Sequence, residues 1–514
     1  MADPILIIGA GINGLVAAAD LAARGKPVRV LERGPTPGGA VRTEELTLPG
    51  FRHDVAAMNL SMFAGSAFMA KHGDEMAKHG MAFVPIDRPF AQAMEPGDHL
   101  GVTTNPEETL ATFASAADKA TWQALMQDFP ARAGVLGGLL GTPIQRGPLA
   151  KFLWKTWRRL GTAGSLEIAQ FLMSSPRDWL EQTFEDPRLR TALSTWGMHL
   201  DFAPDIAGGA IFPYLEAMGG QAMGMVIGKG GADVATRALV AMIEAHGGRV
   251  TCNCEVSQIL HRAGKATGVI ANGETIAATT ILAGLAPKHL SGMIGDSGST
   301  GFDRGMKTFR HAPGTMMLHL ALDGPVPWLA PELNRFAYVH VGRSIDTAAR
   351  TYAQAKAGLL PDTPLLVVGQ PSVFDPSRAP EGKQVLWVQA RVVPAEISGD
   401  AKGEITARDW QDARAPMTER ILDLIEEQAP GLRDRILAAT AVSPLELEAE
   451  NPNLVGGDQI CGSHHLTQNF LFRPVRGFAD GRTPISGLRM IGAACWPGAG
   501  TGAGSGFFAA QAIR

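Results

Sequence analysis

The stretch that most limits what this chain can become is its beginning. Pro4-Ile5-Leu6-Ile7-Ile8 is a short apolar run of the kind that forms a buried strand, and Gly9-Ala10-Gly11-Ile12-Asn13-Gly14 turns out of it into the Ala-rich segment Leu15 to Arg24. The three glycines serve different ends. Gly9 permits the tight turn, Gly11 lets backbone N–H groups approach a pyrophosphate, and Gly14 lets the helix pack on the strand. A phosphate placed there meets the free N–H groups and the positive dipole end of the helix. A second strand, Val28-Arg29-Val30-Leu31, runs into Glu32, whose carboxylate can accept hydrogen bonds from both ribose hydroxyls and would repel a 2′-phosphate. The spacing predicts a dinucleotide site on Gly9, Gly11, Gly14 and Glu32.

NAD and FAD share an ADP half, so this first unit does not separate them. The next residues bear on the choice. Arg33-Gly34-Pro35-Thr36-Pro37-Gly38-Gly39-Ala40-Val41-Arg42-Thr43 places a glycine pair and a basic residue where an ordinary NAD domain would continue into another helix. At the far end, Thr483 to Gly492 reads as turn plus strand and leads through Ala493-Ala494-Cys495-Trp496-Pro497-Gly498-Ala499-Gly500-Thr501-Gly502 to a helical segment, Phe507 to Ile513. A flexible glycine linker would not be bracketed by a strand and a helix. Just upstream lie Asn451-Pro452-Asn453-Leu454-Val455-Gly456-Gly457-Asp458, Gln468 and Phe472-Arg473-Pro474.

Together these stretches resemble the FAD-dependent flavoproteins of the amine oxidase/phytoene desaturase superfamily. Within it they resemble the phytoene desaturase-like branch that includes pyridine nucleotide-disulfide oxidoreductase domain-containing protein 2. The resemblance covers nearly the whole chain, with specific motifs at both ends and a vaguer middle. It implies an α/β fold: a Rossmann-like, glutathione-reductase-type FAD-binding domain over residues 1–85, 215–295 and 445–514, interleaved with an α+β substrate domain over 86–214 and 296–444. It also implies that Arg33, Gly38, Gly39 and Arg42 follow the FAD pyrophosphate and ribityl, that Val256 meets the adenine through its backbone, and that Gly492, Gly500, Thr501 and Gly502 face the flavin side.

The activity implied is that of an oxidoreductase, a desaturase or dehydrogenase moving hydride from a carbon of a small hydrophobic or alicyclic substrate to flavin N5, with oxygen or a quinone as electron acceptor. A flavin amine oxidase is an alternative, weakened by the presence of only three tyrosines, because such enzymes usually present an aromatic cage. A non-catalytic, prenyl- or lipid-binding escort-like protein is a second, opposed by the intact glycines and Glu32. No second strand–glycine–helix unit appears, which argues against a dedicated NAD(P) domain.

Composition narrows the partners. Lys plus Arg number 46 against 50 for Asp plus Glu, a net charge of −4, so no basic excess points to nucleic acid. The four cysteines, Cys252, Cys254, Cys461 and Cys495, contain no C-x-x-C, which removes a redox dithiol, and too few Cys or His residues accompany them to recommend a metal site. The first strand begins almost at once and no apolar run reaches spanning length, so the expectation is a cytoplasmic protein; its oligomeric state is not indicated.

No protein base is dictated by the sequence. The candidates nearest the flavin end are His464, His465 and Arg473, with Gln468 in the same segment, Arg473 as a cation for reduced flavin or as a structural salt bridge. Trp496 is a candidate neighbour of the isoalloxazine or a core residue. His53 and Asp54 read equally as catalytic groups or a hydrogen-bonded structural pair. From about Asn105 to Pro204 the periodicity becomes helical, with Trp122, Leu125, Met126 and Phe129 on one face and Leu189, Leu193, Trp196 and Leu200 on another. Within this layer, 151–160 mixes Lys and Arg with Phe152, Trp154 and Trp157. The reading is a solvated helix with its Trp residues toward the core, the alternative a peripheral membrane contact. Residues 249–259 read as turn plus strand, Asn272-Gly273 as a hairpin turn, and 315–322, 365–369 and 384–393 as strands roofing a substrate pocket.

Overall fold

In the computed structural model, which describes residues 3–513, the opening apolar run is the strand Ile5–Ile8, all four residues buried. It is the middle member of a five-stranded sheet whose order is 488–490, 281–283, 5–8, 28–31, 249–251. All its pairings are parallel: Ile7 is opposite Val30 on one side and Leu282 on the other. Parallel neighbours need crossovers, and the helix Ile12–Ala23 supplies the first, burying Leu15, Val16 and Leu21. The five strands come from both ends and the middle of the chain, and all fall within 1–85, 215–295 and 445–514.

A second sheet has seven strands in the order 436–442, 314–322, 384–393, 365–369, 338–341, 90–93, 99–102, all drawn from 86–214 and 296–444. One face is apolar, with Leu318, Leu320, Val388, Leu366 and Val339 packed beneath the helix Trp410–Gln428. The other face turns inward toward the cofactor body. Here the period of two puts Trp387, Gln389 and Arg391 on one side of their strand, opposite Gly369, Val367 and Leu365. The hairpin turn at Asn272-Gly273 has positive φ at both residues, 48° and 81°, as a type I′ turn requires. The helical layer comprises Pro106–Ala111, Ala116–Leu140, Arg146–Met173, Pro176–Thr183 and Pro187–Met198. Trp122, Phe129, Leu189, Leu193 and Trp196 are buried, with Leu125, Met126 and Leu200 half-buried.

Two expectations are corrected. The strand read over 249–259 is two strands, Arg249–Thr251 in the parallel sheet and Val256–Arg262 in a three-stranded antiparallel sheet. The chain changes sheet at Asn253, where φ is 51° and Cys254 N–H donates to the Glu32 carbonyl. The second concerns Trp154 and Trp157, which do not face the core: they are 54% and 52% exposed. Their helix packs instead through Phe152, which lies against Gly138 of the preceding helix, and through Phe171, which lies against Trp179 and Tyr214. No helix among the described residues is long and apolar enough to cross a membrane.

Candidate cofactor and active site

The glycine turn opens onto a cavity of about 980 Å³ that runs from Glu32, Cys254 and Val256 at one end to Ala57, Gln459, Cys461 and Thr501 at the other. Its first wall is the N-terminus of the helix Ile12–Ala23, which no side chain caps and whose first turn carries no acid. That leaves its N–H groups and dipole for an anion. Gly14 is where helix and turn touch: a Cβ there would lie 2.2 Å from the Gly9 carbonyl oxygen. Glu32 is held by the turn it faces, its Oε2 accepting from Ala10 N–H at 2.7 Å and its Oε1 from Gly34 N–H at 2.8 Å. Gly39 has φ +59° and its missing Cβ would sit 3.2 Å from Gly11 Cα, so the two glycine-rich turns approach backbone to backbone.

Of the residues expected to bind the cofactor, Gly9, Gly11, Gly14, Glu32, Arg33, Gly39, Arg42, Val256, Gly492, Gly500 and Thr501 line this cavity. Gly38 lies one residue behind the wall, its N–H donating to the Ala10 carbonyl. Gly502 is also set back, packed against Met62. Arg33 donates to the Ala449 carbonyl at 2.8 Å, and Arg42 pairs with Glu44 and Glu450. An FAD fits these groups: a bare helix N-terminus for the pyrophosphate, a preset carboxylate for the ribose and an elongated cavity.

The three candidate catalytic side chains do not line the cavity. His464 is buried behind it, its Nε2 accepting from Ala499 N–H at 3.0 Å, which holds the glycine-rich loop in place. Burial, with the Arg473 charge nearby, keeps this imidazole well below its usual range, so it stays neutral. His465 turns away toward Asp201, with Nε2 2.7 Å from the Asp201 carbonyl oxygen and 3.3 Å from its carboxylate. Arg473 is wholly buried and makes no salt bridge among the described residues; it donates to the carbonyls of Ala493 at 2.7 Å, Ser463 at 2.9 Å and Cys461 at 3.2 Å. It clamps two loops together, and burial lowers its guanidinium to about 10. Trp496 packs on Phe470, ring centroids 5.1 Å apart, and donates to the Thr142 carbonyl.

Neither His53 nor Asp54 lines the cavity, and His53 meets Thr47 Oγ1 at 2.8 Å through its Nε2. Asp54 accepts from Thr43 Oγ1 at 2.6 Å, Ala232 N–H at 2.8 Å and Arg378 at 2.9 Å, the last two in buried bonds.

Other residues contribute that the motifs did not single out. Asn13 occupies a variable position of the first motif. Its Oδ1 accepts from Ser505 Oγ at 2.8 Å and Gly506 N–H at 3.2 Å, and Ser505 Oγ accepts from Gly492 N–H, so both ends of the chain are tied at the cofactor. Asn453 bridges Ala286 N–H and the Gly284 carbonyl, fixing the cavity wall opposite. Gln459 and Cys461 come from a loop with no periodicity, so only the fold could reveal them.

Residues 12–415 match the family model described as flavin containing amine oxidoreductase. The chain is 26% identical to pyridine nucleotide-disulfide oxidoreductase domain-containing protein 2 of Rattus norvegicus, over 99% of this chain and 92% of the rat protein. It is also 26% identical to a phytoene desaturase (neurosporene-forming) of Cereibacter sphaeroides, over 97% of this chain and 92% of that enzyme. An oxidoreductase from Methanosarcina mazei shares the fold, with a TM-score of 0.62 at 18% identity over 98% of this chain and 99% of that one. The bare helix end, the preset Glu32 and the two joined glycine-rich loops are what a flavin dinucleotide needs, and with the family match they place the chain among the flavin-containing amine oxidoreductases, as an FAD-dependent oxidoreductase.

Proposed function

We propose that the enzyme is a desaturase or dehydrogenase that takes hydride from a carbon of a largely hydrophobic substrate held between the seven-stranded sheet and the helical layer. The observation that carries this is the buried apolar cluster to which Met58, Phe90, Trp196, Met317, Val367 and Trp387 belong, which reaches the cavity wall where Gln459 Nε2 donates to Met317 Sδ at 3.2 Å. Bound FAD supplies the hydride acceptor. The chain's part is to orient the C–H bond and exclude water, which apolar walls do. The Cereibacter sphaeroides relative is named for desaturating phytoene, a like chemistry. The three tyrosines, Tyr214, Tyr338 and Tyr352, are buried and none lines the cavity, which speaks against an aromatic cage of the amine oxidase kind.

Denaturing the purified protein is expected to release FAD. Hydrophobic polyenes or alicyclic compounds should then bleach the flavin anaerobically, and admitting oxygen or a soluble quinone should restore it. Bleaching by primary amines alone would overturn the proposal.

The exposed helix 146–173 carries a second element of the proposal, contact with an anionic membrane surface. Leu153, Trp154 and Trp157 are each more than half exposed. Between Phe129 and Leu166 the chain has six basic residues, Arg132, Arg146, Lys151, Lys155, Arg158 and Arg159, and no acidic one. Bulky apolar side chains among Lys and Arg suit the headgroup region, where a lipid-soluble substrate would be collected.

A further inference from the structure

The inner face of the seven-stranded sheet is not uniformly apolar. Alternation places Gln389 and Arg391 on it together with Tyr338, His340 and Gln92, while the opposite face is packed by aliphatic residues. Polar groups on an interior face cost desolvation unless each finds a partner. Most do: Gln92 donates to the Gly342 carbonyl at 2.8 Å, His340 meets His199 at 3.2 Å, and Gln389 donates to Gln459 at 2.6 Å.

Ring nitrogens of His319, His340 and Trp387 lack partners among the described residues, and Arg391 is a charged group on this face that is only partly matched. Its Nε donates to Gln389 Oε1 at 2.9 Å and one terminal nitrogen to the His199 carbonyl at 3.0 Å; among the described residues it has no ion pair, and its other terminal nitrogen has no hydrogen bond. The buried Arg378, by contrast, faces two carboxylates, Asp54 at 2.9 Å and Asp375 at 3.1 Å. Arg391 is half-buried and borders a recess of about 20 Å³, enough for one small polar group. Gln459 belongs to the walls of both this recess and the cofactor cavity, so the recess adjoins the flavin end.

Among the described residues no charged group facing this space forms an ion pair with the guanidinium, although the charge of Asp458, on the wall of the same recess, acts on it from a distance. Asp458 is taken up by the N–H groups of Ala312, Ile460 and Gly462 and by His311. Asp201 accepts from Tyr352 at 2.8 Å and meets His465, and burial pushes its carboxyl upward. His199 and His340 are held neutral by burial. Glu216, on the helix Ile211–Met223, shares Tyr338 as a neighbour with Arg391, and burial raises it to about 7, so it can stand protonated there. Burial also lowers Arg391 to about 10, against the opposing pull of Tyr338 and Asp458.

We infer that Arg391 anchors a carboxylate of the substrate in this recess, so that the substrate is an amphipathic acid, an apolar carbon skeleton with one carboxylate end. This rests on the oxidoreductase reading above and specifies the substrate class for the same site. A guanidinium with a free edge is the side chain best shaped for a carboxylate.

The test uses decanoate and decanol as probes on the holoenzyme, followed by tryptophan fluorescence, since Trp387 lies four residues from Arg391 on the same face. Decanoate is expected to bind at least about thirty-fold more tightly than decanol, the lower bound for a buried charge pair. R391M should abolish that preference, and R391K should keep only part of it. Equal binding of decanoate and decanol by the unaltered enzyme overturns the inference without any variant. So does an R391M enzyme, folded by circular dichroism, that still prefers decanoate. Flavin release is read separately: a protein without FAD would sink the oxidoreductase reading, whereas a flavoprotein indifferent to decanoate would sink only the role of Arg391.

Discussion

Glu32 is the side chain whose removal tests the cofactor site most directly. An ionised carboxylate has about four acceptor positions. Two are used here by the N–H groups of Ala10 and Gly34, at 2.7 and 2.8 Å, which leaves two for the ribose hydroxyls of FAD. A hydrogen bond to a charged group contributes about 1.5–3 kcal/mol. Because Glu32 is half-buried and water can partly replace it, the lower figure applies. Losing two such bonds in E32A therefore costs about 3 kcal/mol, or roughly a hundredfold in FAD dissociation constant. E32Q keeps one acceptor oxygen and should lose roughly tenfold. The assay is titration of apoprotein with FAD, following quenching of flavin fluorescence, with a thermal melt of each apoprotein to separate binding from folding. An E32A protein that melts normally and binds FAD within about threefold of the parent would refute the assignment.

Replacing Arg473 by Met strands carbonyls of Ala493, Ser463 and Cys461, so it should lower stability by about 3 kcal/mol or more in urea unfolding. Unchanged stability with a shifted flavin reduction potential would instead make Arg473 a cofactor-tuning residue. Asp20 joins the first helix to its neighbours through His72, Lys71 and Gln511. Burial opposes its charge, but these partners prevail and bring it from 3.8 to about 2. A depressed carboxylate stabilises above its unfolded value and loses that as pH falls through the folded one. D20N should thus be about 2 kcal/mol less stable than the parent at pH 7, with the gap closing from about pH 5 to pH 2; a gap constant with pH would refute the linkage. The double variant W154A/W157A should bind vesicles rich in phosphatidylglycerol at least about tenfold more weakly than the parent, judged by sedimentation. Equal binding, or no binding by the parent, would remove the membrane contact.

What could be read from the residues was whatever short-range physics dictates. The strand read over 4–8, the turn that needs glycine, the helix after it and Glu32 at the end of the next strand form one local unit, and the structure reproduces its strands to within one residue, as Ile5–Ile8 and Val28–Leu31. The strands 365–369 and 384–393 and the Asn272-Gly273 hairpin were equally legible, because alternation and turn chemistry are local. Side-chain direction was not local. Whether Trp154 and Trp157 meet core or solvent depends on which helix lies beside them, and both are exposed. His464, His465 and Arg473 sit close in sequence to the flavin motif, yet the fold turns them to Ala499, Asp201 and a set of carbonyls. Asn13 became a tie between the two ends of the chain only because Ser505 arrives beside it. Arg391 looked like any residue of a strand, and its free edge follows from a register that puts Thr315 and Leu365 beside it instead of an acid. Backbone geometry is settled over a few residues, whereas a side chain's partners are settled by packing across hundreds, and in this enzyme the glycine turn and Glu32 are of the first kind, while the rest of the cofactor cavity and the substrate's surroundings are of the second.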